Sequence, residues 1–135
     1  MVACRGVRGA TTVEANTAQE IYAATRDLLT AIVAANGITV EDVASVVFTA
    51  TSDLDAAYPA VVAREMGWVE TPLLCMQEMT VVGSLPRCIR VLVHWNTDTV
   101  PAEVVHIYLR EAQRLRPDLA RPNPAHLADG SEMGR

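Results

Sequence analysis

An arginine stands inside an apolar alternation at Cys88-Ile89-Arg90-Val91-Leu92-Val93-His94-Trp95. Read with the two-residue period of a strand, Cys88, Arg90, Leu92 and His94 share one face, and Ile89, Val91, Val93 and Trp95 share the other. A guanidinium is not neutralised in a protein, so placing one among such neighbours is costly unless an anion meets it. Two chemistries would supply the anion. One is a structural ion pair with Glu78 of the preceding Cys75-Met76-Gln77-Glu78-Met79 run. The other is an anionic ligand on which the rigid donor fork of Arg90 acts. Arg8, between Val7 and Gly9, read alone is a solvated strand-end charge. Cys75 beside Glu78 could be written as a nucleophile with its base, but no histidine falls near them in the sequence. His94, His106 and His126 are too scattered for a metal-ligand spacing, and Gly6-Val7-Arg8-Gly9 and Gly83-Ser84 lack the full phosphate-cradling patterns. Neither a metal nor a nucleotide cofactor is expected.

The elements that must position these groups are short. Val2 to Arg8, closed by Gly9, reads as a first strand. Thr17-Ala18-Gln19-Glu20 has the form of a capping box, and Ile21, Thr25, Leu28, Ile32 and Ala35 recur at helical spacing until Asn36-Gly37. Val43 to Ala50 is a continuous apolar run rich in β-branched residues, expected as a strand covered on both faces. Ser52-Asp53 leads to a shorter helix within Ala56 to Met66, closed by Gly67. Pro72 to Cys75, Leu85 to Trp95 and Val104 to Leu109 read as further strands. Cys75 and Glu78, three apart, cannot share a face of a regular strand, so the segment must bend if they act together. About five strands and two helices make a mixed α+β sheet with too few helices to cover it, which suggests an oligomer. From Arg116-Pro117 onward the chain turns polar and proline-rich, and Ala120 to Arg135 is expected to be a mobile tail.

Composition narrows the class. A chain of 135 residues is one domain by length, and half its residues are hydrophobic. With one Phe, two Trp and three Tyr, the core must be built from Val, Ala, Leu and Ile. A net charge of −5 argues against nucleic acid or an anionic membrane as partner, so a small anion would need a local basic pocket. Three cysteines without CxxC spacing cannot close a disulfide set, and no stretch approaches a membrane span. A reducing, cytoplasmic home is expected.

Five stretches in order carry a family pattern: Arg5-Gly6-Val7-Arg8-Gly9-Ala10-Thr11-Thr12-Val13-Glu14; Thr51-Ser52-Asp53-Leu54 with Tyr58-Pro59-Ala60 and Arg64; Cys75 to Met79; Gly83-Ser84-Leu85-Pro86-Arg87-Cys88-Ile89-Arg90-Val91; and Tyr108-Leu109-Arg110-Glu111 with Leu115-Arg116-Pro117-Asp118-Leu119. Over about residues 1 to 119 the chain resembles the monofunctional chorismate mutases of the Bacillus type. The resemblance implies a cofactor-free [3,3] rearrangement of chorismate to prephenate, on the phenylalanine and tyrosine branch of aromatic amino-acid biosynthesis. It further implies a homotrimer with a pseudo-barrel core, a pocket at each subunit interface, and a chorismate mutase domain over residues 1–119. In such enzymes Arg90 would contact the ether oxygen of the breaking bond, and Arg8 would bind a substrate carboxylate. Glu78 would accept the ring hydroxyl with Cys75 beside it, and Tyr108 would be a second carboxylate donor. Tyr58, Ala60 and Arg64 would wall the pocket, with Leu115 and Arg116 closing over it. Tyr58 stands where relatives carry Phe, Val61 where they carry Lys, and Leu74 where they carry a polar residue, so the charge at 61 and the side-chain contact at 74 are lost. Two other readings of a related trimeric outline are a small-metabolite-binding protein and an imine deaminase.

Overall fold

The computed structural model describes residues 1–117; the tail expected over 120–135, with His126, Asp118 and Leu119, lies outside the described residues. Among the described residues the chain runs β1 (Ala3–Thr12), α1 (Ala18–Asn36), β2 (Val43–Ala50), α2 (Ala60–Glu65), β3 (Leu73–Gln77), β4 (Cys88–Thr97) and β5 (Ile107–Tyr108). Short 3₁₀ segments lie at Val40–Asp42, Pro101–Glu103 and Arg110–Arg114. The Thr17 half of the capping box forms as the sequence predicts, while the Thr17 N–H donates to the Ala15 carbonyl at 3.0 Å. Thr17 Oγ1 accepts the Glu20 N–H at 3.1 Å, which satisfies a donor the helix cannot, and Gly37 closes α1 at φ 68° with its N–H on the Val33 carbonyl at 2.9 Å.

The strands form one mixed sheet in the order β3-β2-β4-β1-β5. β4 is antiparallel to β1 and β2, while β3 and β5 join the two sides in parallel. Both helices lie on one face. Leu28, Leu29 and Ile32 of α1 and Ala60, Val62 and Ala63 of α2 pack with Val7, Val46, Phe48, Val91, Val93 and Trp95 from the strands. The two-residue period of β4 is therefore the one read from the sequence: Ile89, Val91, Val93 and Trp95 are buried and Arg90 and Leu92 are exposed. Gly9 sits under α1, and a Cβ added there would come 2.7 Å from Ile32 Cδ1 and 3.1 Å from Leu28 Cδ1.

Several boundaries differ from the sequence reading. β1 continues to Thr12, because Gly9 marks close packing and not a strand end, so Arg8 lies within the strand. β2 is buried on its helix side only, and its pairing with β4 shifts between Val43 and Ser45. α2 begins at Ala60, since Pro59 occupies the cap and Asp53 is engaged elsewhere. β4 starts at Cys88 and extends to Thr97, while β5 has only two residues. The face away from the helices is left open except at its β1–β5 end, where Ala112 and Leu115 pack on Ala10 and Tyr108. On it, Leu74 and Met76 of β3 and Leu92 of β4 are exposed apolar side chains.

Candidate active site

Strand register builds the site. One row across the sheet runs Met76, Thr49, Arg90, Ala10, Tyr108, each facing the next on a neighbouring strand. Ala10 is the small member and is covered by Tyr108 and Ala112. A second row, Leu74, Val47, Leu92 and Arg8, runs beside it. From these rows Thr49, Arg90, Tyr108, Val47, Leu92 and Arg8 line, with Glu78, an open cavity of about 290 Å³.

Glu78 comes to Arg90 without any bend. Its N–H donates to the Ala50 carbonyl at 2.9 Å, continuing the β2–β3 pairing one residue past β3, so its side chain stays on the open face. There Arg90 Nε donates to Oε1 at 2.8 Å and Nη2 to Oε2 at 2.6 Å, a bidentate fork, and the Thr49 hydroxyl donates to Oε1 at 2.6 Å. The Arg90 fork holds the Glu78 carboxyl down to about 2 from 4.5, with burial opposing and Thr49 assisting. Glu78 in turn raises Arg90 above its usual range. At neutral pH Glu78 is thus an acceptor only. The guanidinium carries five N–H donors and Glu78 engages two of them, which leaves others for a ligand oxygen.

The start of β4 is fixed by a network that the sequence reading did not anticipate. The Arg87 N–H donates to the Asp53 carboxylate at 3.0 Å, the Thr51 hydroxyl donates to the same carboxylate at 2.5 Å, and Cys88 N–H donates to Thr51 Oγ1 at 3.0 Å. Arg87 Nε reaches the Val13 carbonyl at 3.1 Å, and its backbone is left-handed at φ 49°, a strained state that these contacts hold. Burial pushes the Cys88 thiol up to about 11 despite Arg90, so it is not a thiolate nucleophile.

The other expected site residues fall in three places. Leu115 packs on the cluster of Ala10, Tyr108 and Ala112 at the edge of the cavity, and the Arg116 charge is felt at His106 together with that of Arg8. Cys75 does not sit beside Glu78. It points to the helix face and lines a second cavity of about 580 Å³ with Tyr58, Tyr22 and Met76. Ala60 is buried in the core and Arg64 is exposed on α2; neither lines the two cavities. Thr49 is a site residue that the sequence does not mark, because nothing in a run of small and β-branched strand residues singles out the one that faces a distant glutamate. Among the described residues no three His, Cys, Asp or Glu side chains gather as metal ligands would.

Fold and cavity together define an α+β protein with a guanidinium-lined cavity on the face of its sheet away from the helices. Residues 4–119 match the family model of type I chorismate mutases. The chain is 56% identical to chorismate mutase AroH of Thermus thermophilus over 116 residues, which cover 85% of this chain and 95% of that protein. It is 46% identical to chorismate mutase AroH of Bacillus subtilis over 117 residues, covering 86% and 92%. A solved chorismate mutase from Clostridium thermocellum superposes with a TM-score of 0.80 at 50% identity, covering 82% of this chain and 98% of that one. This chain belongs to the type I chorismate mutase family.

Proposed function

We propose that this protein is a chorismate mutase, an isomerase that converts chorismate to prephenate by a [3,3] rearrangement in aromatic amino-acid biosynthesis. The observation that carries the reading is the Arg90 fork, held by ionised Glu78 beside Arg8 and Tyr108 in one hollow. Arg8 and Tyr108 hold the two carboxylates of a folded substrate, so that its bonding carbons meet before the reaction begins; positioning of this kind contributes several kcal/mol. Arg90 donates to the ether oxygen, where negative charge grows as the carbon–oxygen bond breaks, and so acts mainly on the transition state. Glu78, an acceptor at neutral pH, takes the hydrogen bond of the ring hydroxyl. Electrons shift around a six-membered ring, and no proton leaves or enters.

The two cavities belong to one site in an oligomer. Arg8, Glu78, Arg90, Tyr108, Leu115 and Arg116 form one half; Tyr58 and Cys75 of a second copy form the other, with Ala60 and Arg64 on the adjoining α2 outside the cavity itself. A homotrimer with a pseudo-barrel core joins them and covers the exposed Leu74, Met76 and Leu92. Residues 1–119 make the catalytic domain. A cytoplasmic location suits an odd set of three free cysteines.

Purified protein should abolish the ultraviolet absorbance of chorismate catalytically, with prephenate appearing one for one by proton NMR. Binding of chorismate without its conversion would instead make the hollow a metabolite-binding site.

A further inference from the structure

On the side of β1 away from β4, no strand pairs with Arg8. β5 pairs with β1 only at Gly9 with Ile107 and Ala10 with Tyr108. The backbone N–H of Arg8 donates instead to Nδ1 of His106, at 3.0 Å. The imidazole thus adds one side-chain rung to a two-residue ladder, directly beneath the residue whose side chain enters the cavity.

The backbone on either side of His106 is anchored. Asn36, the last residue of α1, accepts the Val105 N–H at 2.8 Å and donates to the Val105 carbonyl at 2.9 Å, and it also donates to Ile32 O at 3.0 Å. On the other side the Leu109 N–H donates to the Ala10 carbonyl at 2.9 Å. His106 therefore sits between two fixed points, one tied to the helix and one to β1. For Nδ1 to accept, it must carry its lone pair while the proton resides on Nε2. Its surroundings favour that neutral form: burial first, then the guanidinium charges of Arg8 on β1 and Arg116 in the C-terminal segment lower its pKa below the ordinary 6.5.

We propose that His106 is the positioning residue of Arg8, its Nδ1 fixing the β1 peptide from which the Arg8 side chain reaches the substrate. The inference rests on the reading of Arg8 as a carboxylate clamp. A long side chain is aimed by its backbone, and small misplacements at such a clamp weaken binding steeply. Because Arg8 holds a carboxylate alike in substrate and transition state, loosening it affects KM and spares kcat.

His106→Leu and His106→Asn separate this role from mere packing, since the amide oxygen of Asn can stand where Nδ1 does. Losing one hydrogen bond corresponds to about tenfold, so His106→Leu should raise KM for chorismate by about tenfold with kcat within about twofold, and His106→Asn should restore KM to within about threefold. In wild-type protein, ¹⁵N NMR at neutral pH should show Nδ1 unprotonated, and amide exchange at Arg8 should be at least about tenfold faster in His106→Leu. A wild-type KM in the Leu variant, an Asn variant as poor as Leu, or a protonated Nδ1 would each overturn the proposal. If the Leu variant does not fold, the Nδ1 state and the KM of the Asn variant decide. If the wild-type protein leaves chorismate unchanged, the functional reading falls instead, and the Nδ1 state with Arg8 exchange still decides the positioning role.

Discussion

Replacing Arg90 by lysine keeps the charge and removes the fork. One ammonium cannot hold both oxygens of Glu78 and also meet an ether oxygen, so kcat should fall by on the order of 10²-fold or more in Arg90→Lys while the far-ultraviolet circular dichroism is unchanged. A near-normal kcat would return Arg90 to a structural ion pair. Glu78 makes a separate, pH-dependent prediction. Its folded pKa, about 2, lies below the unfolded 4.5, so its stabilisation is complete above about pH 4.5 and is lost as pH falls through 2. Arg90 is half exposed, and solvent screening limits the effect to on the order of 1 kcal/mol, read as a steeper fall of the urea midpoint below pH 4.5 in wild type than in Glu78→Gln. Turnover should not share that dependence. A concerted rearrangement moves no proton, so kcat should be flat between about pH 6 and 8.5 with no large solvent deuterium effect; a bell-shaped profile would show a proton in flight. Arg90 was legible as a candidate because a charge in an apolar strand pattern is conspicuous, whereas Arg8, alone a strand-end charge, was legible only through the family motif around it. The opposition of Cys75 and Glu78 was legible from strand parity alone. Thr49 and His106 were not, since each meets its partner across a strand pairing 29 or 98 residues long in sequence.

At the scale of elements, α1 was readable because its start and stop are local chemistry: a hydroxyl cap at Thr17 and a left-handed glycine at position 37. β1 was not, because the role of Gly9 depends on a helix that arrives from elsewhere. The close approach of Ile32, Leu28 and Val91 to that glycine has a measurable cost. Gly9→Val should destabilise the protein by about 1–3 kcal/mol, as an overpacked core position does, and lower the thermal midpoint by several degrees. Because Arg8 is the next residue, KM should rise as well; an unchanged midpoint would mean that α1 can lift off the sheet freely. β5 escaped full recognition for a similar reason. Its apolar alternation from Val104 onward promises a longer strand, but the Asn36 side chain takes both backbone groups of Val105 and the pairing begins only at Ile107.

For the whole molecule, the division of the expected site between two cavities predicts subunit complementation. Sedimentation should give about three times 14.6 kDa. Arg90→Ala spoils one half-site, and a bulky Cys75→Trp spoils the other. Each variant alone should be nearly inactive, but unfolding and refolding them together in equal amounts should leave about a quarter of the interfaces with both halves intact, and about that share of activity. No recovery on mixing would mean that each chain completes its own site. The strand order has a further consequence, in the timing of synthesis. β1 is made early, yet its neighbours are β4 and β5, residues 88–97 and 107–108, and β4 also joins β2 to the rest of the sheet. A nascent chain halted near residue 87 can form α1 and pair β2 with β3, but β1 has no strand to lie against and its apolar face stays in water. Folding of this protein therefore waits on the ribosome for most of the chain, and the ten residues of β1 are the stretch that a chaperone or a protease meets in the interval.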